Sequence, residues 1–166
     1  MSLKERFSTE EWAGVLQAPM LAGFAVTAAD PSGLIGAVQE SVAVAGSLKQ
    51  AAASGGDGSL AAEIMDAFKT SEGRGTAVDG IRALAKGRKP AEASEAAVAR
   101  LGEIMRTVER AVPDQAPGFR DFLMATATKT AEASTEGGFL GFGGEKVSEA
   151  EKKSLEDLSA ALGAGV

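Results

Sequence analysis

Apolar residues return every three or four positions along most of this chain, and nowhere do β-branched residues settle into strand-like alternation. That period predicts helices almost throughout. Ser8-Thr9-Glu10-Glu11 has the form of a capping box, with Ser8 as N-cap and Glu11 reaching back to it. The helix it opens carries Trp12, Val15, Leu16, Met20 and Phe24, and Pro19 inside it is expected to kink or split it. Ala29-Asp30-Pro31-Ser32-Gly33 reads as the turn that ends it. A second stripe, Leu34, Val38, Val42, Ala45 and Leu48, predicts a helix to about residue 53, followed by the loop Ser54-Gly55-Gly56-Asp57-Gly58.

Further on, Leu60, Ile64 and Phe68 mark a short helix that starts at Ser59. Gly73 and Gly75 are expected to break the pattern, with another short helix from about Thr76 carrying Val78, Ile81 and Ala85. Pro90 stands where a first-turn proline belongs, ahead of the cleanest stripe: Val98, Leu101, Met105, Val108 and Val112. Pro113 to Pro117 reads as a connector, and Phe119, Phe122, Leu123, Thr126 and Thr130 mark a sixth helix. Ser148-Glu149-Ala150-Glu151 is a second capping box, opening a last helix with Leu155, Leu158 and Leu162. The expectation is an all-α bundle of about seven helices forming one domain over residues 1–166, with no domain-scale linker.

Composition sharpens this picture. Alanine, the strongest helix former, is abundant; glycine numbers 21 and aromatics reach only 5%. Small side chains let helices approach closely, so tight packing with modest side chains is expected. The uncharged stretch Trp12 to Ala29 invites a membrane reading. Lys4 and Arg6 stand against Glu5, Glu10 and Glu11, so a basic leader is missing, while Gly14, Gln17, Pro19 and Gly23 dilute its hydrophobicity. It reads as a buried core helix, with no membrane span and a cytoplasmic location.

Charge and residue type then limit the chemistry. The formal net charge of −6 argues against nucleic acid as partner, because phosphate neutralisation needs a basic surface. The local cluster Arg82, Lys86, Arg88 and Lys89 reads as cations at a helix C-terminus, with Gly87 as cap. Cysteine, histidine and tyrosine are all missing. Disulfides, thiolate chemistry, zinc-finger sites and the Ser-His-Asp triad are therefore excluded, and acid–base or metal work falls to Asp, Glu and Lys.

Both ends of the chain share one plan: helix, polar or glycine-rich loop, helix. The first loop is Asp30-Pro31-Ser32-Gly33, with Glu40 in the helix after it; the second runs Gly144-Glu145-Lys146-Val147-Ser148-Glu149-Ala150-Glu151. This second stretch resembles the helix–loop–helix signature of the tellurite-resistance TerB-like family, although Gly143 stands where that family has Asp. The resemblance implies a compact helical stress-response protein whose acidic loop residues bind a divalent metal. On that reading Asp30, Glu40, Glu136, Glu145 and Glu149 are the candidate ligands for Ca²⁺ or Mn²⁺, provided the two end motifs pack side by side. Ordinary helix capping explains first-turn acids such as Glu149 and Glu151 equally well.

Between Glu136 and Gly144 lies a glycine-rich stretch holding Phe139, Leu140 and Phe142. It lacks the Lys-Ser/Thr ending of a P-loop and follows no strand, so phosphate cradling is excluded. Those three side chains either tuck into the bundle or form a docking patch for another protein, a second copy or a membrane surface. Three functions follow: a non-enzymatic TerB-like protein with a divalent cation, an interaction module without metal, and a carboxylate-dependent metal-assisted hydrolase. The last requires at least three converging acids beside a pocket.

Overall fold

A computed structural model of the protein describes residues 2–29, 48–49, 53, 58–136 and 147–163, with the side chains of 133–136 outside that set. Among the described residues there are six α-helices and no strand: α1 Thr9–Thr27, α2 Leu60–Ala67, α3 Ser71–Ala85, α4 Pro90–Ala111, α5 Ala116–Glu136 and α6 Glu149–Ala161. Short 3-10 turns cover Leu3–Arg6 and Pro113–Gln115. The expected helix over 34–53 falls mostly outside the described residues, and the helical pieces Leu48–Lys49 and Ala53 are what the structure shows of it.

Helix α1 is the axis of the bundle and packs against all five others. Val15, Ala18, Leu21, Ala22, Ala25 and Val26 are all fully buried, while Ala13, Gln17, Met20 and Phe24 make a half-buried face. A helix apolar all round belongs in an interior, which is why the uncharged Trp12–Ala29 stretch is core. No helix among the described residues is long and apolar enough to cross a membrane. Pro19 does not split α1, which runs unbroken through it. The Ser8–Glu11 capping box forms as expected, with Ser8 N–H donating to Glu11 at 2.8 Å and Glu11 N–H to Ser8 Oγ at 3.2 Å.

The helices around α1 approach it closely where side chains are small. A Cβ on Gly80 of α3 would stand 2.9 Å from the side chain of Gln17, and one on Gly14 would stand 3.3 Å from Arg100. Leu101, Met105 and Val108 of α4, Phe119, Phe122 and Leu123 of α5, and Leu158 and Leu162 near the end of α6 complete one continuous core.

Two expectations about breaks are corrected. Helix α3 starts at Ser71, not Thr76, and passes through both Gly73 and Gly75. Thr70 is its N-cap: its hydroxyl accepts the Gly73 N–H at 3.0 Å and donates to the Ala67 carbonyl at 2.8 Å. Gly73 allows that turn, since a Cβ there would fall 2.2 Å from the Ala67 oxygen. Likewise α5 begins at Ala116, so Pro117 lies in its first turn, where the absent N–H costs nothing. At the end of α3, Gly87 adopts φ +73° and Arg88 donates to the Leu84 carbonyl at 2.9 Å, so that cation serves the helix terminus.

Candidate functional site

Three helix ends meet at one end of the bundle. Helix α4 opens with Pro90, which has no donor to leave unpaired, and Glu92 accepts the Lys89 N–H at 3.0 Å. Helix α6 opens on its capping box, with Ser148 N–H donating to Glu151 at 2.8 Å and Glu151 N–H to Ser148 Oγ at 3.2 Å. Both starts lie against the last turns of α1, so positive helix ends face a negative one. The Ala25 carbonyl joins them. Ser94 Oγ of α4 donates to it at 2.5 Å, and Ser154 Oγ of α6 at 2.9 Å.

This polar knot is buried: Ser94 and Ser154 are each 5% exposed and Glu151 only 3%. Thr27 Oγ1 donates to the Gly23 and Phe24 carbonyls, each at 3.3 Å. The serine protons are committed to a carbonyl, and the chain offers no histidine to activate a hydroxyl. The arrangement fastens three helices together.

Of the expected metal ligands, the structure describes the side chain of Glu149. It is 82% exposed and pairs with Lys152 at 2.9 Å across one turn. Glu136 is the closing residue of α5, and its side chain lies outside the described residues, as do Asp30, Glu40 and Glu145 entirely. Phe139, Leu140 and Phe142 also lie outside them. Among the described residues no three Asp or Glu side chains come together as a metal ion would need. What the structure does bring together is the flanks of the two end motifs, α1 up to Ala29 and α6 from Ser148.

No family model, curated protein or solved structure matches this chain. Function has to be read from its own residues.

Sequence reasoning passed over Glu63, whose carboxylate gathers three donors. From α2 its carboxylate accepts from Ser2 Oγ at 2.8 Å, Leu3 N–H at 2.7 Å and Lys4 N–H at 3.0 Å. Burial pushes this carboxyl up, but the donors from Leu3, Ser2 and Lys4 outweigh it and hold it below the ordinary carboxylate range. No local pattern signals such a residue, because its partners lie about sixty positions earlier. Glu11 is lowered too, first by the Ser8 N–H and then by Arg110, with which it forms an ion pair.

Three of the surface clefts are lined by described residues. An apolar one of about 280 Å³ lies among Met20, Leu48, Met65, Phe68 and Val78. Arg74 edges it, donating to the Phe68 and Lys69 carbonyls at 2.8 and 3.0 Å. A second, about 400 Å³, has Asp114 and Asp121 on its wall with Ser59 and Gln115; Gln115 Oε1 accepts the Leu60 N–H at 3.1 Å. The third, about 420 Å³, lies between the start of α1 and the α2–α3 turn. The Asp114–Asp121 wall offers two carboxylates, short of the three a metal-assisted hydrolase requires.

Proposed function

We propose that this chain is a non-enzymatic, TerB-like helical protein working inside the cell, which holds a divalent cation through carboxylates at the end of the bundle where α1 stops and α6 starts. One observation supports the reading: Ser154 Oγ donates to the Ala25 carbonyl at 2.9 Å, so the helices flanking the two end motifs lie side by side. Asp30 comes directly after Ala29, two residues past the end of α1, and Glu145 comes shortly before Ser148. The chain thus leaves neighbouring points carrying acids from both motifs. An all-oxygen donor set of Asp30, Glu145 and Glu149, with Glu40 and Glu136 as further candidates, suits a hard cation such as Ca²⁺ or Mn²⁺.

The test is a thermal-melt series on metal-stripped protein with Ca²⁺, Mn²⁺, Mg²⁺ and Zn²⁺. A cation at a hundred times its Kd stabilises by about 2.7 kcal/mol. For a domain this size that raises Tm by roughly 5–10 °C. Asp30→Ala and Glu145→Ala should each abolish the shift. A flat response to all four cations would end the metal reading.

One observation favours a second reading. Glu149 is engaged with Lys152 and turned to solvent. On this reading the chain is an interaction module that uses Phe139, Leu140 and Phe142 against another protein or a second copy, without metal. Light scattering across a concentration series checks the self-association branch. Wild type should associate and a Phe139→Ser/Phe142→Ser variant should not; equal behaviour of the two would remove that branch.

A further inference from the structure

Residues 2–8 form a short strap beside α2 and the start of α1, and its 3-10 turn Leu3–Arg6 has no fully buried residue. What fastens its beginning is one carboxylate: Glu63 accepts from Ser2 Oγ, Leu3 N–H and Lys4 N–H at 2.8, 2.7 and 3.0 Å. At its other end Phe7 is 8% exposed, with its ring centroid 6.0 Å from that of Trp12. After Phe7 the chain is secured by the Ser8–Glu11 capping box and the Glu11–Arg110 pair. The strap is therefore held by a polar latch at one end and an aromatic plug at the other. Lys4 and Phe7 line the third cleft together with Trp12, Leu16, Ala67 and Thr70.

Segments with few buried groups open at far lower free energy than the core they cover. Here almost all the polar attachment sits on a single side chain from another element. We infer that the strap is a hinged wall of this cleft, latched by Glu63 and turning at Phe7–Ser8, so that unlatching opens the cleft and uncovers its apolar floor at Trp12, Leu16 and Ala67. The floor suits an apolar or aromatic ligand body. The device is independent of the cation reading, since it lies at the other end of α1.

Hydrogen exchange by NMR, combined with acrylamide quenching of Trp12, tests it; Trp12 is the sole tryptophan. In Glu63→Gln the amide nitrogen replaces one acceptor oxygen, so the latch loses at least one bond. The amides of Leu3, Lys4 and Phe7 should then exchange roughly tenfold or more faster, as the loss of a charged hydrogen bond implies. Trp12 quenching should rise, while core amides such as Leu101 and Leu158 keep their protection. Ser2→Ala, which removes one bond to Glu63 and the longer Lys4 N–H contact to Ser2 Oγ at 3.3 Å while keeping both Glu63 oxygens, should give a smaller acceleration in the same amides. Three results would overturn the inference. The strap amides of wild type are unprotected, or both variants speed core and strap alike, or the strap amides accelerate with Trp12 quenching unchanged.

Discussion

Gly73 and Gly75 occupy the same helix two residues apart, and replacing each with alanine should move stability in opposite directions. At Gly75 nothing lies within 4 Å of the added methyl, so the substitution acts through the backbone alone. Alanine in a helix is favoured over glycine by about 1 kcal/mol, and Gly75→Ala should stabilise by up to that amount. At Gly73 the methyl would fall 2.2 Å from the Ala67 carbonyl oxygen and 2.7 Å from its carbon. Ordinary contact starts near 3.4 Å, and the obstacle is backbone, which cannot rotate aside. The α2–α3 turn would have to open by about 1 Å, against the two bonds Thr70 Oγ1 makes across it. Overpacking costs about 1–3 kcal/mol, and a backbone obstacle at 2.2 Å belongs in the upper half of that range, so Gly73→Ala should come out destabilised by roughly 1–2 kcal/mol after the helix gain of about 1 kcal/mol. Urea unfolding followed by circular dichroism reads both. In thermal melts of a chain this size, each kcal/mol moves Tm by about 2–4 °C. A Gly73→Ala variant as stable as wild type would refute the close turn, and a destabilised Gly75→Ala would refute the account of α3.

The Ala25 carbonyl supplies the next test. Ser94→Ala or Ser154→Ala alone should cost about 1 kcal/mol, because the other hydroxyl still satisfies the acceptor. The double variant should exceed the sum by about 1 kcal/mol or more, measured as a double-mutant cycle in urea; strict additivity would mean the two hydroxyls do not share that oxygen. Glu63 predicts a pH dependence. Its folded pKa lies below the unfolded one, so its contribution is full above the unfolded value and fades as pH falls through the folded one. Urea midpoints taken from pH 7 down to about 3 should fall more steeply for wild type than for Glu63→Gln. Parallel curves would show that the latch does not contribute.

What could be read in the sequence was what short-range physics encodes. Both serine–glutamate capping boxes, Pro90 in a first turn and the Leu101–Met105–Val108 stripe each depend on residues within one or two turns, and each stands in the structure. Gly73 and Gly75 read as breaks because propensity treats glycine as a local cost. Whether it ends a helix depends on what approaches it, and at Gly73 that is the Ala67 carbonyl of the preceding helix. The stripe given to α1 missed for a similar reason: Ala18, Ala22 and Ala25 look neutral alone and become core because the surrounding helices crowd them, whereas Met20 and Phe24 are only half-buried. Ser94, Ser154 and Glu63 left no trace, since their partners lie 69, 129 and about 60 residues away. Of the proposed ligands, Glu149 turned out to be an exposed first-turn acid paired within its own helix, which capping alone predicts.

The placement of α1 also shapes how the chain reaches this state. Helix α1, buried round most of its circumference, is made before the five helices it packs against, and Ser154, which fastens its last turn, follows 129 residues after Ala25. During synthesis an uncharged segment that needs a full ring of neighbours is exposed before any of them exists. Its capping box can start the helix, but burial waits for α3 to α6. Such a chain holds an uncharged apolar segment in the open until its neighbours are made, which exposes it to aggregation during synthesis.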